Sequence, residues 1–285
     1  MSGFGSVACA AAAHEETAVR SSCVRRVPDC VRVDARGAHE VEETVAAEVP
    51  VSLSCNGVYL NVLTCSPVEL VDLAYGALFA MGVIEQASDV ASVDVTAYRR
   101  SFNVEATLRE GLSVPDAAYR VSTLAGMPRA LGSEGLAPYA PARMVHVETS
   151  QPYPGRAISA AANTLLSRQG MHRATGATHA AAFVSRTGEF LELREDVGRH
   201  NALDKLIGAL LRGGYSPHDG FVFLSSRCAL ELVNKAARFG IELVATVSAP
   251  TSAVLDFADE ANVTLAAFAR EDRFTLYTHP ERVEY

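Results

Sequence analysis

The C-terminal half of this chain is predicted to be an α/β domain, preceded by a smaller, mostly β region. Three observations carry the prediction. From about residue 156 onward, helical and strand patterns alternate in the order αββαβαβαββ. Segments such as Phe221–Leu224 are unbroken apolar runs, expected of strands covered by helices on both faces. Upstream, the pair Asn56-Gly57 separates two alternating stretches, which is a hairpin signal because both turn positions must accept positive φ. The alternation of strands and helices predicts a mostly parallel sheet.

Taken in order, residues 1 to 45 carry little pattern and are expected to be a loosely ordered tail. Residues 46–150 form the β-rich N-terminal domain. It holds the hairpin 49–63, a helix from Pro67 to Met81 and strands at 89–96, 101–109 and 119–124. Ser66-Pro67-Val68-Glu69 reads as the helix start, with an N-cap, a proline in the first turn and a glutamate to close a capping box. Gly126 to Pro154 is rich in Gly, Pro and Ala and reads as a long connection. Residues 151–285 form the second domain. Its helices are expected at 156–169, from 198, at 229–239 and at 252–260, and its strands at 179–185, 189–194, 221–224, 243–247, 264–268 and 274–278.

Composition bounds the function. The 285 residues hold 25 Lys+Arg and 33 Asp+Glu, a formal charge of −8, with 49% hydrophobic and 20% charged residues, so the bulk of the chain is expected to fold. The acidic balance argues against a nucleic-acid binder, and no apolar run reaches the roughly 20 residues that span a bilayer. The apolar start has no Lys or Arg ahead of it, so no signal peptide is expected, and the chain reads as cytoplasmic with reduced thiols. None of the six cysteines pairs as C-x-x-C.

The chemistry is expected at strand-to-helix junctions, where free N–H groups and the helix dipole favour an anion. Arg194–Lys205 is one such junction and carries Arg199, His200 and Asn201. Ser225–Glu231 is a second, with Ser226, Arg227 and Cys228, and Thr251 starts a third helix. Bidentate Arg suits phosphate. Singly, each of these residues is more often structural, as a cap, a surface ion pair or a packing group; their joint occurrence tips the balance modestly towards a site for a nucleotide or phosphorylated cofactor. The element order also fits the cytidine-deaminase architecture. A zinc deaminase needs H-x-E and P-C-x-x-C, whereas the two helix starts here read His200-Asn201-Ala202 and Ser226-Arg227-Cys228-Ala229-Leu230-Glu231. Neither zinc nor any other metal site is expected.

Several stretches together resemble the FdhD/NarQ family of formate dehydrogenase accessory proteins. They are Thr175–His179, Arg194–Lys205, Ser225–Arg227, Glu231–Lys235, Val247–Ser252 and Phe268–Arg273. The resemblance implies a dimer with a cytidine-deaminase-like, three-layer C-terminal domain around a mixed sheet. It implies a role in carrying sulfur from a cysteine desulfurase to the molybdenum bis-guanine-dinucleotide cofactor required by formate dehydrogenase. On the same resemblance, Phe268, Ala269, Arg270, Glu271, Asp272 and Arg273 match the segment associated with cofactor binding, and the anion-ready junctions would hold its phosphates. One departure stands out. The family's persulfide cysteine lies in a C-G-x-C-G loop, and the corresponding stretch here, Tyr119–Leu131, contains no cysteine. A persulfide carrier needs a thiolate. Either another thiol serves, Cys228 being nearest the inferred site, or this protein binds the cofactor without transferring sulfur.

Overall fold

A computed structural model describes residues 23–115, 121–122, 127–128 and 145–285. The predicted hairpin is formed by β3 (Val49–Cys55) and β4 (Val58–Cys65), with Asn56 at φ 50° and Gly57 at φ 73°. With β5 (Val90–Ala97) and β6 (Phe102–Leu108) it makes a four-stranded sheet of order β4-β3-β6-β5. Before it, β1 (Val24–Asp34) and β2 (Gly37–Ala46) pair as an antiparallel ribbon, where the sequence suggested only a tail. The ribbon is mostly exposed, so its stability comes from ladder hydrogen bonds and ion pairs such as Arg32–Glu43 at 2.6 Å, which leave no apolar period to read. Residues 1–22 and most of 116–144, including most of the expected strand 119–124 and of the connection, lie outside the described residues.

Helix α1 (Leu70–Ala80) starts three residues later than expected. Its N-cap position is Glu69, in the left-handed region at φ 54° with no side-chain cap. Ser66 does not cap it, because its backbone N–H donates to Asp196 at 2.9 Å and its hydroxyl accepts from the Val197 N–H at 3.2 Å. A tertiary partner thus outcompetes the local capping box.

The second half follows the predicted order, with one short helix added: α2 (Gly155–Arg168), α3 (Gly170–Thr175), β7 (His179–Ser185), β8 (Phe190–Asp196), α4 (Arg199–Gly213), β9 (Gly220–Leu224), α5 (Leu230–Phe239), β10 (Leu243–Thr246), α6 (Ser252–Glu260), β11 (Thr264–Ala267) and β12 (Thr275–Thr278). The sheet order is β8-β7-β9-β10-β11-β12. Only β9/β10 and β10/β11 are parallel; the other three pairings are antiparallel, so the sheet is mixed rather than mostly parallel. The short β7–β8 connection can only make an antiparallel pair, and β9 then enters beside β7 running against it.

Alternation along the strands explains how both faces are buried. Ala180, Ala182, Val184, Phe221 and Phe223 pack with Ala157, Ile158 and Ala161 of α2. Ala181, Phe183, Val222 and Leu224 belong to the opposite core with α4, α5 and α6. That second core continues through α1 into Leu53, Leu63 and Val104 of the N-terminal sheet. The two halves of the chain therefore share one core. Helices α1 and α4 cross so closely that a Cβ on Gly76 would overlap the Asp204 carbonyl, and one on Gly208 the Asp72 carbonyl.

Candidate functional site

The carboxyl ends of β9, β10 and β11 necessarily lie at one end of the sheet, because these strands run parallel. The antiparallel neighbours bring the start of β7 and the end of β8 to the same place: His179 pairs with Asp196, and Ala181 with Leu224. From this end rise α4, α5 and α6, all packed on the same face. Their N-cap residues are Gly198, Ala229 and Thr251, and none makes a side-chain cap. The caps that the sequence suggested at His200 and Ser226 are not formed. Ser226 turns its hydroxyl to the Arg227 carbonyl at 3.1 Å, and its own carbonyl accepts from Thr246. Three sets of helix-start N–H groups therefore point at one region without side-chain partners.

The stretch Arg194–Lys205 divides into residues that build and residues that remain open. Arg194 meets Asp72 at 3.0 Å and Glu192 at 2.8 Å, and so fastens β8 to α1 instead of facing a ligand. Glu195 accepts from the Met171 and His172 N–H groups at 2.8 Å, capping α3. Asp196, fully buried, accepts from Ser66 N, Gly198 N, Asn201 Nδ2 and the equally buried Lys205 Nζ, the last at 2.7 Å. Asn201 also donates to the Thr64 carbonyl at 2.8 Å, so its amide ties elements together and does not reach the open end. Asp204 holds Lys235 of α5 at 2.6 Å.

Arg199 and His200 are left over. Arg199 Nε and His200 Nε2 are buried and have no hydrogen-bond partner. Glu231 Oε2 lies 4.0 Å from His200 Nε2, too far to satisfy it. Burial, helped by Lys235 and Arg199, pushes the His200 imidazole down to about 4. His179, which the sequence reasoning did not single out as a site residue, stands in the same neighbourhood. Burial and then the charges of Arg199, His172 and Arg227 lower its pKa. Its signal was the register: it opens the strand whose partner ends at Asp196. Arg227 is exposed at the same end.

The loop after β11 completes this end. Phe268 is 43% exposed and held at φ 53°, a conformation costly for a large side chain. Ala269 is buried beneath it, donating to the Thr246 carbonyl at 3.0 Å. Arg270 Nη1 reaches the Val247 carbonyl at 2.7 Å, and its N–H closes a turn onto Arg273. Glu271, Asp272 and Arg273 are exposed at the tip, and Thr251 is exposed nearby at the start of α6. Of the expected residues, Arg199, His200, Arg227, Thr251 and Phe268–Arg273 share this end of the sheet, while Asn201 and Ser226 support it from below.

Cys228 is fully buried, with its thiol pushed up to about 12 by that burial, and packs in the α4–α6 core. Cys65 is likewise raised to about 12 and Cys55 to about 11. Among the described residues, no group of three or more His, Cys, Asp or Glu side chains could hold a metal ion.

The class of protein is thus a mixed α/β fold whose open sheet end gathers cationic and unpartnered polar groups. The chain belongs to the FdhD/NarQ family, whose model matches residues 46–284. It is 37% identical over 239 residues to the sulfur carrier protein FdhD of Bordetella bronchiseptica, covering 84% of this chain and 87% of that one. To the sulfur carrier protein FdhD of Chromobacterium violaceum it is 40% identical over 248 residues, covering 83% and 88%. The crystal structure of a protein assigned as a formate dehydrogenase accessory protein from Desulfotalea psychrophila has the same fold. It superimposes with a TM-score of 0.73 at 22% identity, over 92% of this chain and all of that one. Among the described residues, no helix is long and apolar enough to cross a membrane.

Proposed function

We propose that this protein serves formate dehydrogenase maturation by holding the molybdenum bis-guanine-dinucleotide cofactor, as cargo, at the open end of its six-stranded sheet. The observation that carries the reading is the convergence there of three helix starts without side-chain caps with Arg199, His200 and Arg227. Buried donors without partners cost stability, which a bound phosphate would recover by accepting from them. Phe268–Arg273 would flank the nucleotide, with the exposed Phe268 ring offering a surface for the guanine base. Membership of a family whose relatives are named sulfur carrier proteins supports a place in sulfur delivery, with formate dehydrogenase and a cysteine desulfurase as partners in the cytoplasm. The cytidine-deaminase-like assignment of the C-terminal domain, the division at about residue 150 and a homodimer belong to the same proposal. The test is calorimetric titration with guanosine diphosphate. Binding that weakens tenfold or more in Arg199→Ala supports the site; no binding by the parent protein sinks it.

A second reading, a cofactor chaperone without persulfide chemistry, is favoured by the thiols. The stretch 119–131 has no cysteine, and Cys55, Cys65 and Cys228 are buried with raised pKa values, which leaves little thiolate. Intact-mass spectrometry after incubation with a cysteine desulfurase and cysteine separates the two readings. A gain of one sulfur on one cysteine establishes a carrier, whereas no gain, with the desulfurase active on a relative bearing the C-G-x-C-G loop, establishes the chaperone.

A further inference from the structure

We infer that Asp196 and Lys205 are positioning residues for the open end of the sheet: their buried ion pair locks the turn that presents Arg199 and His200 to the end of strand β4. The inference rests on the reading that Arg199 and His200 face the ligand, and adds what holds them there.

The geometry supports a clamp more than a simple core contact. Both side chains are fully buried, an expensive arrangement that apolar residues of similar size would replace without loss of core packing. Asp196 spends its oxygens on four donors from three places: Ser66 N after β4, Gly198 N in the turn, and Asn201 and Lys205 on α4. Lys205 returns to the Ser66 carbonyl at 3.1 Å, Asn201 to the Thr64 carbonyl, and the Val197 N–H to the Ser66 hydroxyl. Every one of these bonds involves either the residues 196–198 that precede Arg199 or the first two turns of α4. The N-terminal sheet is thereby joined to the first helical residues of the site and not merely to the middle of the helix. A change in the segment 64–66 would be transmitted to Arg199 and His200 without any contact between that segment and the ligand.

The test uses the full chain and guanosine diphosphate as the probe. Asp196→Asn combined with Lys205→Met removes both charges together, so no buried charge is left alone; the amide nitrogen that replaces one Asp196 oxygen leaves a backbone N–H unmatched, so a lowered but still cooperative melt is expected. If the pair positions the site, this folded double variant binds guanosine diphosphate at least tenfold more weakly than the parent. An affinity within twofold of the parent overturns the inference. Should the double variant not fold, Ser66→Ala cuts the bond from the Val197 N–H, Asn201→Ala cuts those to Asp196 and to the Thr64 carbonyl, and both leave the ion pair intact. At least a threefold loss of affinity is expected in each, and unchanged affinity in both overturns the inference. A readout that needs no ligand separates this from failure of the functional reading. In the parent, burial depresses the His200 imidazole to about 4, and a nuclear magnetic resonance titration is expected to read it there. In whichever of these variants folds it moves toward the ordinary histidine value if the start of α4 has shifted. An unmoved titration overturns the positioning role even when the parent binds no nucleotide.

Discussion

The two ends of the six-stranded sheet are built on opposite principles. At the end where β9 and β10 begin, most of the strong polar groups among the described residues are matched, the buried Arg238 Nε being an exception. Glu242, almost fully buried, accepts from the Ser150 N–H at 2.8 Å and pairs with His218 Nδ1 at 2.7 Å. Arg186 lies 3.9 Å above the Tyr153 ring and donates to the Gln151 carbonyl at 2.6 Å, while the Tyr153 hydroxyl donates to the Gly220 carbonyl. Asn262 holds the Val147 carbonyl at 2.7 Å. This end straps residues 145–154 to the domain. At the opposite end the helix starts lack side-chain caps, Arg199 and His200 keep unmatched nitrogens, and Phe268 sits in a strained backbone region. The uncapped helix starts that accompany the unmatched nitrogens at the second end are what support the proposed ligand site there.

The comparison can be broken at its foundation or sharpened at either end. The largest effect is expected from Gly76→Ala, which sets a methyl group into the Asp204 carbonyl at the α1–α4 crossing beneath both ends. Backbone overlap of that kind should cost more than about 4 kcal/mol, read as loss of the cooperative melt. Next, Glu242→Ala should destabilise by about 3 kcal/mol by leaving buried donors unmatched, while calorimetry on the folded fraction finds guanosine diphosphate affinity unchanged. A weakened affinity there would dissolve the division between the ends.

Acid should then act on both. Burial alone would raise Glu242, but Ser150 and His218 outweigh it and hold the carboxyl low. Its contribution is present above the ordinary glutamate pKa and is lost as pH falls through the lowered value. His200 is also depressed, so the unfolded chain takes up that proton first: its contribution is complete above about 6.5 and drains away toward about 4. The drop is on the order of 2 to 3 kcal/mol, and His200→Ala should flatten that part of a stability-against-pH curve. Arg199→Ala comes next, losing about tenfold in nucleotide affinity, or about 1.4 kcal/mol, with an unchanged melting temperature. The exposed Arg273 gives the smallest effect, about threefold on affinity for Arg273→Ala, with a salt dependence that the Arg199 variant lacks.

Much of the fold was legible in the residues. Strand β7 and helix α6 fall where the pattern placed them, and the Asn56-Gly57 turn takes the two positive φ values it requires. These features are local: a period of two, a period of 3.6, a turn residue. The ribbon β1–β2 was not legible, because an exposed pair has no buried face to impose a period. The start of α1 was misplaced because Ser66, an able local cap, is taken by Asp196 and Val197 some 130 residues later in the chain.

The site divides along the same line. The sequence by itself determined which residues gather at helix starts and which family the pattern resembles, since motif spacing and helix-start chemistry are properties of short segments. Only the tertiary structure decided which members of Arg194–Lys205 are open. Arg194, Glu195, Asp196, Asn201, Asp204 and Lys205 are consumed in tying elements together, and Arg199 and His200 are not. Hydrogen-bond partners far along the chain settle that division, because a polar side chain is available to a ligand only after the fold has finished using it.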